Sequence, residues 1–317
     1  MATTIGPMNS PSLSPAVAAP SPAASDSLNR ARTGQWLVVA GGALLGTAGV
    51  FIEEANQHPL MTVWFRCAFG ALTLWLWGLC SGKTSELRLQ ARGYAVAVAT
   101  GFLMVLNWGL FFAAIPLTSI SVATVAFHIQ PIWVMLFGAL FLREPVSRLH
   151  GLATLAALCG LALSTGLFDG PEGLNLDSGY LAGLWMCVGG SLSYAAVTII
   201  AKTEQRVSPY ALAWWQCFVG TLLLAWVPVA QGLPDRLDTW GWLVSLGVLH
   251  TGLAYALLFA GMVRLALGRI ALLQFVYPLT AVLVDWVVYG KVLQPLQLVG
   301  VAVMALSLWT LRKPTPA

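Results

Sequence analysis

The sequence predicts an all-α integral membrane protein whose ten transmembrane helices form two inverted five-helix repeats around a central cavity. Three observations lead to this prediction: the composition, the distribution of charge, and the recurrence of one proline-centred segment. The 317 residues are 58% hydrophobic and 9% charged, with a mean hydropathy of +0.79. A soluble domain typically has about 25% charged residues, so the composition excludes an ordinary soluble protein.

The first residues differ in character from the rest of the chain. Residues 1–33 begin with prolines that alternate with Ser and Ala and contain few large apolar side chains, so we expect a disordered cytoplasmic tail. Beyond them, apolar runs of about 20 residues, enough to cross a bilayer, recur with short links. The predicted spans lie near residues 34–52, 59–79, 93–114, 118–142, 147–167, 178–201, 208–230, 239–262, 269–289 and 293–311.

The basic residues give these spans an orientation. Of the 16 Lys and Arg residues, 13 fall on one side of the predicted membrane, Arg236 and Lys291 fall on the other, and Arg66 lies within a span. Lys and Arg are enriched in cytoplasmic loops. We therefore expect the basic side, with both chain termini, to be cytoplasmic.

Two similar segments divide the chain into halves. Residues 127–133 (Phe-His-Ile-Gln-Pro-Ile-Trp) and 274–280 (Gln-Phe-Val-Tyr-Pro-Leu-Thr) each lie within an apolar run, and their prolines are 147 residues apart. Each half contains five predicted spans, an odd number, so the second half should enter the membrane upside down. The expected domains are the tail 1–33, a first repeat 34–168, an extracytoplasmic linker 169–177, a second repeat 178–311 and a cytoplasmic tail 312–317.

Pro131 and Pro278 are predicted to break their helices. Proline removes one helical N–H and frees the carbonyl about a turn earlier, and a membrane tolerates freed groups where protein or a water-filled cavity satisfies them. Either proline alone also fits an ordinary membrane helix, because such helices contain more proline than soluble ones. Broken helices at matching places of inverted repeats instead indicate a transporter with a site at the repeat interface.

The pattern Phe-His-Ile-Gln-Pro…Leu-Arg-Glu-Pro at residues 127–145 closes a half that is then repeated. This pattern resembles the EamA-type repeat of the drug/metabolite transporter superfamily, and within it the bacterial amino-acid exporters of the aromatic amino-acid exporter type. The resemblance covers roughly residues 34–311 and implies a multi-pass exporter of the bacterial inner (plasma) membrane. It departs from the family pattern at Gly290-Lys291, where the family has Gly-Glu.

Polar and aromatic side chains within the spans are candidates for lining the cavity, because polar groups are costly in lipid and face the protein interior. The candidate substrate-binding residues are His128, Trp108, Tyr255, Tyr194, Tyr277, Gln274, Asn107, Thr124 and Ser191. Such a lining suits a small zwitterion with a variable apolar side chain, since rings supply apolar and cation–π contacts. Packing is the competing interpretation for the aromatic residues, and for Ser and Thr, whose hydroxyls often bond to their own helix.

Arg66 and Asp285 are the only formally charged residues placed more than two residues from the end of a predicted span. Each lies less than two helical turns from the predicted outer side, so we expect them to pair across the halves as an outer gate. In a second interpretation, Arg66 holds a substrate carboxylate on its way out. In a third, Asp285 reaches interfacial water and the two never meet.

Together these features predict a secondary transporter that exports amino acids, aromatic and other, by alternating access with broad specificity. No G-x-x-x-x-G-K-[ST] pattern, the signature of an ATP-binding P-loop, occurs, so we do not expect ATP hydrolysis to drive transport. A general drug or metabolite exporter of the same superfamily is the alternative, and an intramembrane enzyme is a remote one because the four histidines are scattered. We expect no enzymatic activity, cofactor, metal or nucleic-acid partner; the expected partners are amino acids and the lipid bilayer.

Overall fold

The computed structural model describes residues 22–165, 167, 178–290 and 292–312, and all regular structure in these ranges is helical. The all-α prediction is therefore confirmed for the described residues, while the linker 169–177, Lys291 and much of both tails lie outside them. The helices are α1 (Pro22–Gly46), α2 (Ala48–Ala55), α3 (Pro59–Cys80), α4 (Ala91–Ala114), α5 (Ile120–Phe127), α6 (Gln130–Phe141), α7 (Arg148–Ser164), α8 (Ser178–Thr203), α9 (Pro209–Leu223), α10 (Trp226–Gln231), α11 (Leu237–Gly247), α12 (Ala254–Met262), α13 (Leu267–Leu273), α14 (Val276–Tyr289) and α15 (Pro295–Trp309).

Seven helical segments of the described chain are long and apolar enough to cross a membrane. They are Asn29–Ala55, Pro59–Cys80, Ala91–Leu117, Ser121–Phe141, Ser178–Thr203, Leu237–Met262 and Leu267–Tyr289. Two further apolar helices, α7 and α15, are shorter, and α9 continues into α10 through a turn. Helix is thus present in each of the ten predicted ranges, but the number of segments that cross the membrane stays a prediction.

The outer surface of the bundle carries large hydrophobic side chains. Leu152, Trp185 and Val287 are 66%, 70% and 74% exposed, respectively. Exposed apolar side chains on long apolar helices suit contact with lipid, because the bilayer interior offers no water to polar groups.

Four of the long segments are interrupted, the first of them at Thr47 between α1 and α2. α5 gives way to α6 at residues 128–129, just before Pro131, and α13 gives way to α14 at residues 274–275, just before Pro278. A turn of π-helix, Val248–Leu253, separates α11 from α12. π-Helical turns and proline breaks disturb the regular i to i−4 bonding, so backbone and side-chain groups at these places are free to face a cavity.

Helices of the two halves pack against one another in matching pairs. α1 contacts α12 while α4 contacts α8, α3 contacts α9, and α7 contacts α15. The backbones of α7 and α15 are in direct contact: a Cβ on Gly160 would lie 2.7 Å from the Gly300 carbonyl oxygen, and a Cβ on Gly300 would lie 2.4 Å from that of Gly160. Small residues allow this backbone contact, as is usual at helix interfaces in membranes.

Candidate functional site

The broken helices border a cavity of about 190 Å³, the central cavity, which is lined by residues of both halves. Eight of the nine candidate substrate-binding residues line it. They are Asn107, Trp108, Thr124, His128, Tyr194, Tyr255, Gln274 and Tyr277. The remaining lining side chains are mostly apolar and include Phe111, Phe112 and Phe127.

Ser191 is the candidate residue that does not line the central cavity. Its hydroxyl accepts a hydrogen bond from Trp133 Nε1 at 3.1 Å and donates one to the Val188 carbonyl oxygen at 2.8 Å. Ser191 therefore holds α8 against α6. Tyr194, three residues further along α8, does line the cavity.

Two contacts between aromatic rings of the cavity wall join the two halves of the chain. The Trp108 and Tyr255 ring centroids are 6.1 Å apart, and the Tyr255 ring stacks on Phe259. The His128 imidazole stacks on the Tyr277 ring with centroids 5.7 Å apart and planes inclined by 22°. The Trp108–Tyr255 and His128–Tyr277 contacts each join one half of the chain to the other, so both halves shape the same surface.

His128 lies at the break between α5 and α6, where the helix geometry directs its imidazole back along α5. Its Nδ1 lies 2.7 Å from the Thr124 carbonyl oxygen. A carbonyl oxygen can only accept, so Nδ1 carries the proton and Nε2 is the acceptor nitrogen of the neutral ring. Nε2 is buried and has no hydrogen-bond partner within the described ranges.

Arg66 borders the central cavity, and neither salt bridge found among the described residues joins it to Asp285. Its Nε donates to Thr251 Oγ1 at 3.2 Å, and its Cζ lies 5.1 Å from the centroid of the Trp108 ring. Asp285 instead borders a second cavity. The similar predicted depths of the two residues did not bring them together, because depth leaves the direction of each side chain around its helix open.

This second cavity, of about 480 Å³, adjoins the central one and is called the end cavity here. Gly49, Thr124, His128 and Tyr277 line both. The end cavity also contacts the last residues of α7 and the first turn of α15. The central cavity therefore continues toward the end of the bundle where α7 ends and α15 begins.

The opposite end of the bundle is held together by polar contacts that we call the latch. Lys202 Nζ lies 3.4 Å from Glu144 Oε1, and Glu144 Oε2 accepts a hydrogen bond from the Leu267 N–H at 3.0 Å. Lys202 Nζ also donates to the Leu265 carbonyl oxygen at 2.5 Å. The latch thus joins the segment after α6, the end of α8 and the start of α13.

Sequence reasoning missed several residues that the structure places at these sites. Gln130, which is 6% exposed, lines the central cavity next to the break between α5 and α6. Its position directly before Pro131 could have identified it as a cavity residue from the sequence. Glu144 matches Lys291 under the 147-residue shift, but nothing in the sequence linked Glu144 to Lys202. Among the described residues, no group of three or more His, Cys, Asp or Glu is arranged to hold a metal ion.

Several known proteins with similar sequences are named as transporters or exporters. They include the uncharacterized transporter YxxF of Bacillus subtilis (strain 168), 29% identical over 78% of this chain and 79% of that protein. The pseudopaline exporter CntI of Pseudomonas aeruginosa is 25% identical over 70% of this chain and 75% of its own length. The riboflavin transporter ImpX of Fusobacterium nucleatum is 25% identical over 61% of this chain and 67% of its own length.

A solved structure shares the fold of this chain. This crystal structure covers 87% of this chain with a TM-score of 0.76 at 16% identity, and 95% of that protein is matched. The EamA-like transporter family model matches residues 32–166 and again residues 181–312. The predicted resemblance is therefore confirmed at the level of the family, and the chain is a multi-pass membrane protein that belongs to the EamA-like transporter family.

Proposed function

We propose that this protein is a secondary transporter that exports amino acids across the bacterial inner membrane by alternating access. The observation that carries the proposal is the central cavity, which joins aromatic walls with a few buried polar groups. Its volume of about 190 Å³ is below the lower limit of about 300 Å³ for pockets that enclose drug-sized ligands. A small solute fits this volume better than a large one.

The proposed membrane arrangement is ten spans in two inverted five-helix repeats, with both termini cytoplasmic. Two separate matches to one family model support the repeat. The packing of α1 on α12 and of α4 on α8 also supports it, because each pair joins the first span of one half to the third span of the other. The proposed domain boundaries remain 34–168 and 178–311.

With this orientation, the end cavity opens toward the outside and the latch closes the cytoplasmic side. An exporter alternates between this outward-open state and an inward-open one in which the latch is broken. The substrate would enter the central cavity from the cytoplasm and leave past His128 and Tyr277, which line both cavities.

Flux into proteoliposomes tests this function. We expect external phenylalanine and leucine to exchange with a preloaded labelled amino acid, and empty liposomes to show no exchange. Repeating the assay with and without a pH gradient identifies coupling to protons. Absence of exchange for every amino acid tested contradicts the proposal.

A general metabolite exporter is the second candidate, because the names of two similar proteins describe a riboflavin transporter and a pseudopaline exporter. Riboflavin and an organic cation therefore belong in the same assay. Transport of either one without transport of amino acids favours this candidate.

A further inference from the structure

Arg66 is a buried cation that faces the central cavity. The residue is 7% exposed and belongs to neither salt bridge found in the described ranges. No Asp or Glu is among the residues that line the central cavity. Because an uncompensated charge within a membrane is costly, the compensating negative charge is best supplied by whatever occupies the cavity.

Thr251 directs the guanidinium group of Arg66. Thr251 Oγ1 lies 3.2 Å from the Leu246 carbonyl oxygen, to which it donates across the π-helical turn, and it accepts from Arg66 Nε. The Trp108 ring lies against the same guanidinium. Within the described residues the terminal nitrogens of Arg66 make no hydrogen bond, and such a pair of nitrogens matches the two oxygens of a carboxylate.

Three residues that line the cavity also carry buried acceptor atoms that lack donors. Gln130 Oε1, Gln274 Oε1 and His128 Nε2 are buried without a hydrogen-bond partner in the described part of the chain. All three residues lie at or beside the helix breaks and are at most 8% exposed. Buried polar atoms are normally paired, so a ligand that donates hydrogen bonds, such as a protonated amine, would satisfy them.

We propose that Arg66 binds the carboxylate of the transported solute through its terminal nitrogens, while the Gln130, Gln274 and His128 acceptors receive its protonated amine. The apolar walls, including Phe111 and Phe127, then surround an uncharged side chain. The recognised class is an α-amino acid with a free carboxylate and an apolar or aromatic side chain. This inference rests on the proposed function and deepens it by assigning the two charged groups of the substrate.

Four probes that each contain a phenyl ring but differ in their amine and carboxylate groups test the assignment: phenylalanine, phenylalaninamide, phenethylamine and 3-phenylpropionate. Their dissociation constants are measured on the purified full-length protein by ligand-dependent thermal unfolding in detergent. A hydrogen-bonded charge contact corresponds to a factor of about 10–100 in affinity. We expect the wild-type protein to prefer phenylalanine over phenylalaninamide by that factor, and to bind 3-phenylpropionate more weakly than phenylalanine.

Arg66→Gln should abolish the preference for phenylalanine over phenylalaninamide. Arg66→Lys keeps the positive charge but lacks the two terminal guanidinium nitrogens, so it should retain part of this preference. Gln216→Leu is the matched control, because Gln216 precedes Cys217 in α9 as Arg66 precedes Cys67 in α3, is 5% exposed and does not line the cavity. The control should keep the wild-type preference. Arg66→Lys also keeps the test decisive if Arg66→Gln does not fold.

The outcomes separate the two proposals. If phenylalanine is transported but an Arg66 variant keeps the full wild-type preference for the carboxylate, the assignment is overturned and amino-acid export stands. If the wild-type protein neither binds nor transports phenylalanine or leucine, both proposals are overturned.

Discussion

Trp108 links the apolar and the charged parts of the central cavity. Its ring lies 5.1 Å from Arg66 Cζ and 6.1 Å from the Tyr255 ring, each measured to the Trp108 centroid. The Trp108 ring can therefore contact a substrate side chain and also Arg66, the cation that we propose binds the substrate carboxylate. A cation–π contact of this kind contributes about 0.5–2 kcal/mol.

Replacing Trp108 by Ala should lower the apparent affinity for phenylalanine by about 3- to 30-fold, which corresponds to the loss of one ring contact. Tyr255→Ala should act in the same direction. The measurement is the concentration dependence of exchange in proteoliposomes. Trp185→Ala is the control, because Trp185 is 70% exposed on the outside of α8, and equal effects of Trp108→Ala and Trp185→Ala contradict the prediction.

At the scale of helices, the contact between α7 and α15 depends on two glycines. A Cβ on Gly160 would lie 2.7 Å from the Gly300 carbonyl oxygen and 2.9 Å from the Met304 backbone nitrogen. Both neighbours are backbone atoms, so the helices must separate to admit any side chain.

Gly160→Val should therefore destabilise the protein by about 1–3 kcal/mol, the usual cost of overpacking. Thermal unfolding in detergent measures the effect. Gly151→Val provides a control on the same helix, since a Cβ there would meet no atom within 4 Å. A melting temperature that falls equally in both variants would show that valine disturbs α7 itself rather than its contact with α15.

The latch, formed by Glu144, Lys202 and the start of α13, is a second contact between helices whose role can be tested. Glu144→Gln keeps an acceptor for the Leu267 N–H but removes the charge that faces Lys202. The two side chains are partly exposed, at 30% and 16%, so their ion pair is worth no more than about 1 kcal/mol. In Glu144→Gln we therefore expect the equilibrium population of the state in which this end is open to rise by a factor of at most about five.

A cysteine introduced at Ala271, which is fully buried on α13, reports this opening in a background without the native cysteines. Its labelling rate should rise in Glu144→Gln and in Lys202→Gln. Arg236→Gln is the control, because it removes the other described salt bridge, which is exposed. Unchanged labelling in both latch variants shows that the ion pair does not hold this end closed.

At the scale of the whole molecule, orientation follows from the distribution of Lys and Arg. Ser178 begins α8 and Ser85 lies in the short helical turn Thr84–Leu87, and both are exposed. A cysteine at position 178 should react with a membrane-impermeant thiol reagent added outside intact cells, whereas a cysteine at position 85 should react only after the cells are opened. The reverse result contradicts the proposed topology.

The sequence alone predicted the helical structure of the described residues and transport across a membrane, and it identified most of the polar residues that line the central cavity. This was possible because lipid leaves backbone groups no partner except their own helix and drives polar side chains inward. Residue type and position within a span therefore carry the information. Trp108, His128 and Tyr255 could be selected on that basis.

Only the tertiary structure decided which of these residues meet. Arg66 and Asp285 were matched by depth, but rotation of each helix about its axis directs them to different cavities. The same rotation turns Ser191 toward Trp133, and packing brings Glu144 to Lys202 across 58 residues of chain. The depth of a residue in the membrane depends on its position within one helix, which can be read from the sequence. Contact between two residues depends on how several helices pack, which no single segment of sequence specifies.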